Sequence, residues 1–316
     1  MNLTRAHTMI NELSILIPVY NDIAVGLVEK LHRQASAIDG LKYEILVVDD
    51  GSDDKEKIGE NSVINGIENC RYVVSCHHSC RSAMRNAMQE HARYEWRLMV
   101  DARLSVVYDD FLLRYLRSGA EPGEAVCGGV EVRGSCSANN GGSACQTQLL
   151  YRENLRFRYE KYEERNHSLA ARREEPYKSF RTTNIFYHRS VLERVPYDES
   201  IKGYGYEDVK LGKDLCCAGI RVLHIDNPVA YTSFEGNERY LEKIEEALHT
   251  LRSMGDELVD FSPLLASERK LRWLHLWWAV RLFHLLFGNM EKQSLCGKRP
   301  RLFVFKLYKL GYLSYI

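Results

Sequence analysis

The sequence predicts an α/β protein, a largely parallel sheet wound with helices and followed by a helical C-terminal extension. Three observations carry that expectation. Short apolar runs rich in branched residues alternate with stretches of helical spacing through the N-terminal part of the chain, the pattern of βαβ units. Polar or acidic residues directly follow three of these runs, at Tyr20-Asn21-Asp22, Asp49-Asp50 and Asp101-Ala102-Arg103, and ligands of doubly wound sheets sit at the carboxyl ends of strands. Beyond about residue 236 the strand pattern stops and helical spacing takes over.

The elements follow in order. Residues 13–19, LSILIPV, form the first strand and end next to a proline. Residues 24–37 carry apolar side chains at helical spacing (Val25, Leu27, Val28, Leu31), and 43–48, YEILVV, form the second strand. A parallel pair with a right-handed crossover results. Residues 70–76 read as a third strand, 81–93 as a helix, 96–100 as a fourth strand and 108–118 as an amphipathic helix. The small, polar stretch 135–146 reads as a loop, 148–165 as a charged helix and 167–179 as another loop. TTNIFYHRSVLERV (182–195) is a strand running into a short helix. In GYGYEDVKLGKDLCCAG (203–219) the acids Glu207 and Asp208 open a helix, where negative charge suits the positive end of the dipole. RVLHI (221–225) reads as the last strand.

Composition excludes several classes. Lys and Arg total 43, as do Asp and Glu, so no global charge favours nucleic acid. No apolar run reaches the roughly 20 residues that span a bilayer, and MNLTRAHTMINE has no apolar core of signal-peptide length. Nine scattered cysteines without a CxxC pair point to reduced thiols rather than a disulfide framework or zinc site. No glycine-rich, lysine-bearing phosphate loop follows the first strand, which speaks against nucleotidyl transfer.

Taken together, LSILIPVYND, ILVVDDGSDD, the Arg-bearing SCRSAMRNAM, the acid-bearing strand end at Asp101 and GYGYEDVKLGKDL resemble glycosyltransferase family 2. The resemblance covers about residues 12–235. It implies the GT-A fold, a Rossmann-like mixed sheet flanked by helices, over residues 10–235, with 236–316 as the helical extension. It implies inverting transfer of a sugar from a nucleoside diphosphate donor, UDP-linked, to a hydroxyl of a glycan or lipid-linked acceptor. HIDNPV and EGNERYLEK further resemble bacterial members that build surface polysaccharides.

The resemblance also assigns roles. Asp49 would read the base, with Pro18 and Tyr20 walling its pocket and Asp22 and Asp50 beside it, although Asp-Gly-Ser is also ordinary turn chemistry. Arg81 and Arg85 lie four apart on one helical face and would meet the diphosphate, the alternative being a solvated basic face. Asp208 would be the general base that takes the acceptor proton, and Glu207 would position the acceptor. Thr183, Asn184 and Gly205 would lie near the donor sugar or acceptor.

The metal site departs from the family. An Asp-x-Asp pair usually holds Mn²⁺ or Mg²⁺ on the diphosphate. Here LMVDARLSV keeps Asp101 and puts Arg103 in place of the second acid, and Tyr231 stands where a histidine ligand is common. Metal is therefore possible but doubtful. Three readings stay open: a metal held by Asp101, phosphates and water with Arg103 pointing away, an arginine serving the diphosphate directly, or a degenerate protein that binds nucleotide sugar or glycan within a polysaccharide assembly complex without turnover.

The extension, with KLRWLHLWWAVRLFHLLF and RPRLFVFKLYKLGYL, would pack on the catalytic domain or a second subunit, or lie in a membrane interface. The Trp273-Trp277-Trp278 group reads as core. The expected location is the cytoplasm, with peripheral contact at the inner membrane face.

Overall fold

The computed structural model of the chain describes residues 9–134 and 143–316, without side chains at 143–146. A seven-stranded mixed sheet forms its centre, in the order β3-β2-β1-β4-β8-β6-β9. Strands β1 (Glu12–Val19), β2 (Lys42–Asp49), β3 (Cys70–Val74) and β4 (Trp96–Val100) run parallel. Strand β8 (Asn184–His188) runs antiparallel to β4 and to β6 (Ala125–Cys127), and β9 (Val222–His224) pairs parallel with β6. The inner strands read as continuous apolar runs because both faces of the sheet are covered; seven of the eight β1 residues are buried.

Helices α1 (Val25–Ser36) and α4 (Phe111–Leu116) cover one face around Leu31, Tyr115 and Phe186. Helices α3 (Arg81–His91) and α9 (Glu207–Cys217) cover the other around Met88, Tyr187 and Leu215. Helix α2 (Lys55–Ser62), capped by the Asp54 carboxylate on the Lys57 N–H, was not expected from the sequence. A second, three-stranded sheet was also not expected: β5 (Leu104–Val106), β10 (Val229–Tyr231) and β7 (Val130–Val132). Each has only three residues, too few to show alternation. Strand β10 also displaces 221–225 as the last strand.

The middle departs further from expectation. Residues 135–142 of the expected loop lie outside the described residues. The charged stretch divides into α5 (Ser143–Glu153) and α6 (Leu155–Glu163) at Asn154, whose side chain caps α6 by accepting from the Phe157 N–H. Helix α7 (Leu169–Glu174), capped by Ser168, occupies the expected loop at 167–179. Helix α8 (Ser190–Arg194) follows β8 as expected.

The C-terminal extension comprises α10 (Asn237–Ser253), α11 (Pro263–Trp273), α12 (Trp277–Cys296) and α13 (Leu302–Tyr315). Two cores join these helices to α6 and to the 203–206 loop, one around Leu155, Tyr240 and Phe305, the other around Leu248, Leu251 and Leu313. The expected tryptophan core is absent: Trp273 and Trp278 are 77% and 67% exposed.

Candidate active site

Parallel pairing of β1, β2 and β4 brings their three polar termini to one edge of the sheet. The register sets Val19 beside Asp49, so Tyr20 to Asp22 and Asp49-Asp50 emerge together. Antiparallel β8 starts at the same edge, pairing Asn184 with Val100, and the Asp101 N–H donates to the Thr183 carbonyl at 3.2 Å. Strand β10 pairs Tyr231 with Leu104, which sets Tyr231 beside the Asp101–Arg103 turn.

Asp49 is turned inward, at 1% exposure. One oxygen accepts from the Ser52 N–H at 2.7 Å and the other from the Tyr72 hydroxyl at 2.6 Å. Asp50 accepts from the Ser79 N–H and hydroxyl and meets His78 Nδ1 at 3.0 Å. The exposed Tyr20 ring packs on His78, with centroids 4.3 Å apart. His78 thus joins two site loops. Gly51, at φ +72°, brings its backbone so close to residues 77–78 that a Cβ would stand 2.7 Å from the His78 nitrogen. Asn21, also left-handed at φ 50°, accepts from the Asp53 and Asp54 N–H groups.

The second half of the site is an ionic cluster. Arg85, buried, donates to Glu207 at 3.0 Å and meets Asp101 at 3.5 Å. Arg81 donates to the same Glu207 oxygen at 3.2 Å and lies over the Tyr204 ring, 4.2 Å from its centroid. Both arginines on this helical face therefore pair with Glu207, Arg85 from within the fold and Arg81 from an exposed position. Burial works to raise the Glu207 pKa, but the two guanidinium groups outweigh it and hold the carboxyl below its usual range. Asp208, half-buried, is the opposite case. Burial, then the Glu207 charge, push it up to about 6, against the pull of Arg181. Two adjacent carboxyls with divergent proton affinities are the mark of acid–base assignment.

Arg103 does not point at Asp101's carboxylate partner. Its Nε donates to Asp22 at 2.5 Å, and its Nη1 lies 3.8 Å from Glu235. Glu235 in turn binds Arg156 at 2.8 Å and Lys243 at 3.2 Å. The Arg103 side chain remains 45% exposed at the cleft mouth. The Arg156 guanidinium lies 5.0 Å from the Tyr231 ring centre, and burial first, then Glu160, raise the Tyr231 hydroxyl to about 12.

The chain itself offers a metal few oxygens here, so an ion would draw most of its ligands from a diphosphate and water. Asp101 offers one carboxylate and shares it with Arg85. Tyr231 keeps its proton, and among the described residues no group of three His, Cys, Asp or Glu side chains is placed to hold an ion. Hard divalent cations take six or more oxygens.

Two residues expected near the sugar serve the scaffold. Asn184 is buried: its Oδ1 accepts from the Tyr115 hydroxyl, and its Nδ2 donates to the Gly129 and Asn227 carbonyls. Gly205, at φ +87°, lets the 203–206 loop lie against α10, where a Cβ would approach Ala247 to 2.9 Å. Thr183 differs, since its buried Oγ1 has no partner. It lines a small, partly enclosed pocket with Glu160, His167, Arg172 and Arg181. Pro18 is buried at the end of β1, beneath the exposed Tyr20.

The sequence matches the glycosyl transferase family 2 over residues 14–181, more than half of the chain. The chain belongs to this family. Its GT-A fold is shared with the mannosyltransferase PcManGT from Pyrobaculum calidifontis, solved with GDP-Man and Mn²⁺: 17% identity, TM-score 0.52, covering 96% of this chain and 85% of that one. TarS 1-349 from S. aureus, solved with UDP-GlcNAc, aligns at 17% identity and TM-score 0.47 over 81% of this chain and 71% of its own. No curated protein gives a significant match.

For a family 2 protein, several site residues were missed from sequence. Arg156, Arg181, Glu235, Lys243 and Tyr72 all touch the site or its ion pairs. Arg181 carried a signal, standing directly before the Thr182-Thr183-Asn184 strand start. Arg156 and Lys243 lie on helices, Glu235 on a loop and Tyr72 on β3, and no local pattern announces their packing against the cleft.

Proposed function

We propose that the cleft transfers a sugar, with inversion, from a nucleoside diphosphate donor, UDP-linked, to a hydroxyl of a glycan or lipid-linked acceptor. The observation that carries this reading is the split between Glu207 and Asp208. Glu207 stays ionised between two arginines, while Asp208 has an affinity that fits it to accept a proton near neutrality. Asp208 takes the acceptor proton as the hydroxyl oxygen attacks the anomeric carbon. The bond from that carbon to the diphosphate oxygen breaks on the opposite face, and the diphosphate leaves with the electron pair.

The base enters between Tyr20 and the end of β1 at Pro18, with Asp50 beside it. Asp49 lies beneath and meets the base once the Ser52 or Tyr72 contact gives way. The leaving diphosphate carries negative charge that a metal normally offsets. In this chain we assign that role to guanidinium groups: Arg103 at the mouth, with Arg81 and Arg85 behind it. Fixed guanidinium groups stabilise phosphate charge and pair with it bidentately. Thr183, with its unpartnered hydroxyl, faces the sugar or acceptor.

A second reading, binding without turnover, draws on Asp101 and Glu207 both being engaged by Arg85. One comparison separates them: release of UDP from UDP-sugars by the native protein and by Asp208→Asn. Turnover that disappears in the variant, with UDP binding kept, supports transfer; equal rates in both would overturn the assignment of Asp208.

A further inference from the structure

Helix α12 is packed inside out. The strip it turns toward α13 and α10 includes the His284–Glu291 pair, joined at 3.0 Å, and Gly288. The helices close in around His284: a Cβ on Gly311 of α13 would stand 2.7 Å from its Nδ1. The opposite side of α12 shows Leu282, Phe283, Leu285, Leu286, Phe287 and Met290 to solvent. Trp273, Leu276 and Trp278 extend this patch across the α11–α12 corner. A contiguous apolar surface of this kind marks an interaction site.

The charge around it identifies the occupant. Residues 263–316 hold ten Lys and Arg but only two Asp and Glu, Glu268 and Glu291, both buried and paired. Of the totals of 43 each, residues 1–262 therefore keep 33 basic and 41 acidic, a net −8 against +8 for the end of the chain. Arg269, Lys270, Arg281, Lys298, Arg299 and Arg301 are exposed and make no ion pair among the described residues. A second copy seated on this face would set one +8 surface against another. No described helix is long and apolar enough to cross a membrane.

We infer that α11 and α12 lie on an anionic bilayer surface, with Trp273 and Trp278 at headgroup depth and the leucines and phenylalanines of α12 below. The basic residues reach lipid phosphates from the rim, their aliphatic stems along the apolar surface. The inference is independent of how the cleft is read.

The test is cosedimentation of the full chain with vesicles of phosphatidylcholine alone or mixed with phosphatidylglycerol, at low and high salt. The expected result is binding to the phosphatidylglycerol vesicles that weakens with salt, with a blue shift of tryptophan emission. Arg281→Gln should weaken it about fivefold and Leu286→Ser about tenfold or more. Both side chains are exposed, so melting temperatures should stay native. Protein that remains in the supernatant with both vesicle types overturns the inference. So does a salt-insensitive response equal on both, or a dimer in sedimentation velocity that Leu286→Ser dissociates.

Discussion

At the scale of residues, the site turns on how one arginine pair sorts two adjacent acids. Arg85 and Arg81 hold Glu207 ionised, while burial and the Glu207 charge raise Asp208 against the pull of Arg181, the Val209 N–H and Arg85. Asp208→Asn should cost about 10²–10⁴-fold in turnover while the UDP dissociation constant stays within about twofold, as read by calorimetry. The rate should rise with pH up to about 6 and level off above it, because the base acts deprotonated; a profile flat through pH 5–7 would contradict the assignment. The sign for stability is the reverse. A carboxyl whose folded pKa lies above its unfolded one contributes fully below about pH 4 and loses that contribution as pH rises through about 6. Arg85→Ala leaves Glu207 buried with Arg81 as its remaining partner. Breaking such a pair costs about 3–5 kcal/mol, a loss that urea unfolding would measure.

At the scale of elements, the sheet edge was legible and its flanks were not. Strands β1, β2 and β4 announce themselves as apolar runs because they are covered on both faces, and each ends at the acids that define the cleft. Strands β5, β7 and β10 are three residues each and owe their existence to pairing across long sequence separations, which leaves no local signature. Asn184 and Gly205 show the same limit: the bond from the Tyr115 hydroxyl to Asn184 and the approach of Gly205 to α10 leave no local signature. The Trp273–Trp278 group runs against the usual apolar-inside rule: Trp273 and Trp278 face solvent while α12 turns the His284–Glu291 pair inward. Backbone geometry was equally hidden. Gly51 holds the β2–α2 turn against the His77–His78 loop at positive φ, so Gly51→Ala should cost about 1–3 kcal/mol and free His78 from Tyr20 and Asp50, seen as changed chemical shifts of the His78 and Tyr20 rings by NMR.

At the scale of the whole molecule, the helical extension both braces the 203–206 loop and presents a separate surface. Helix α10 braces the 203–206 loop, with Thr250 Oγ1 donating to the Tyr204 carbonyl at 3.0 Å, so Asp208 depends on a helix outside the matched family region. Arg103 reaches across from the end of β4 to Asp22 and Glu235, tying the sheet edge to the start of α10. A diphosphate entering the cleft would compete with those two acids for the guanidinium. The most direct measurement is the melting temperature of the chain with UDP, in EDTA and in Mn²⁺. At about a hundred times its dissociation constant, UDP should stabilise by about 2.7 kcal/mol equally in both, and Arg103→Asp should abolish the EDTA response. Stabilisation by UDP that appears only with Mn²⁺ would contradict the account.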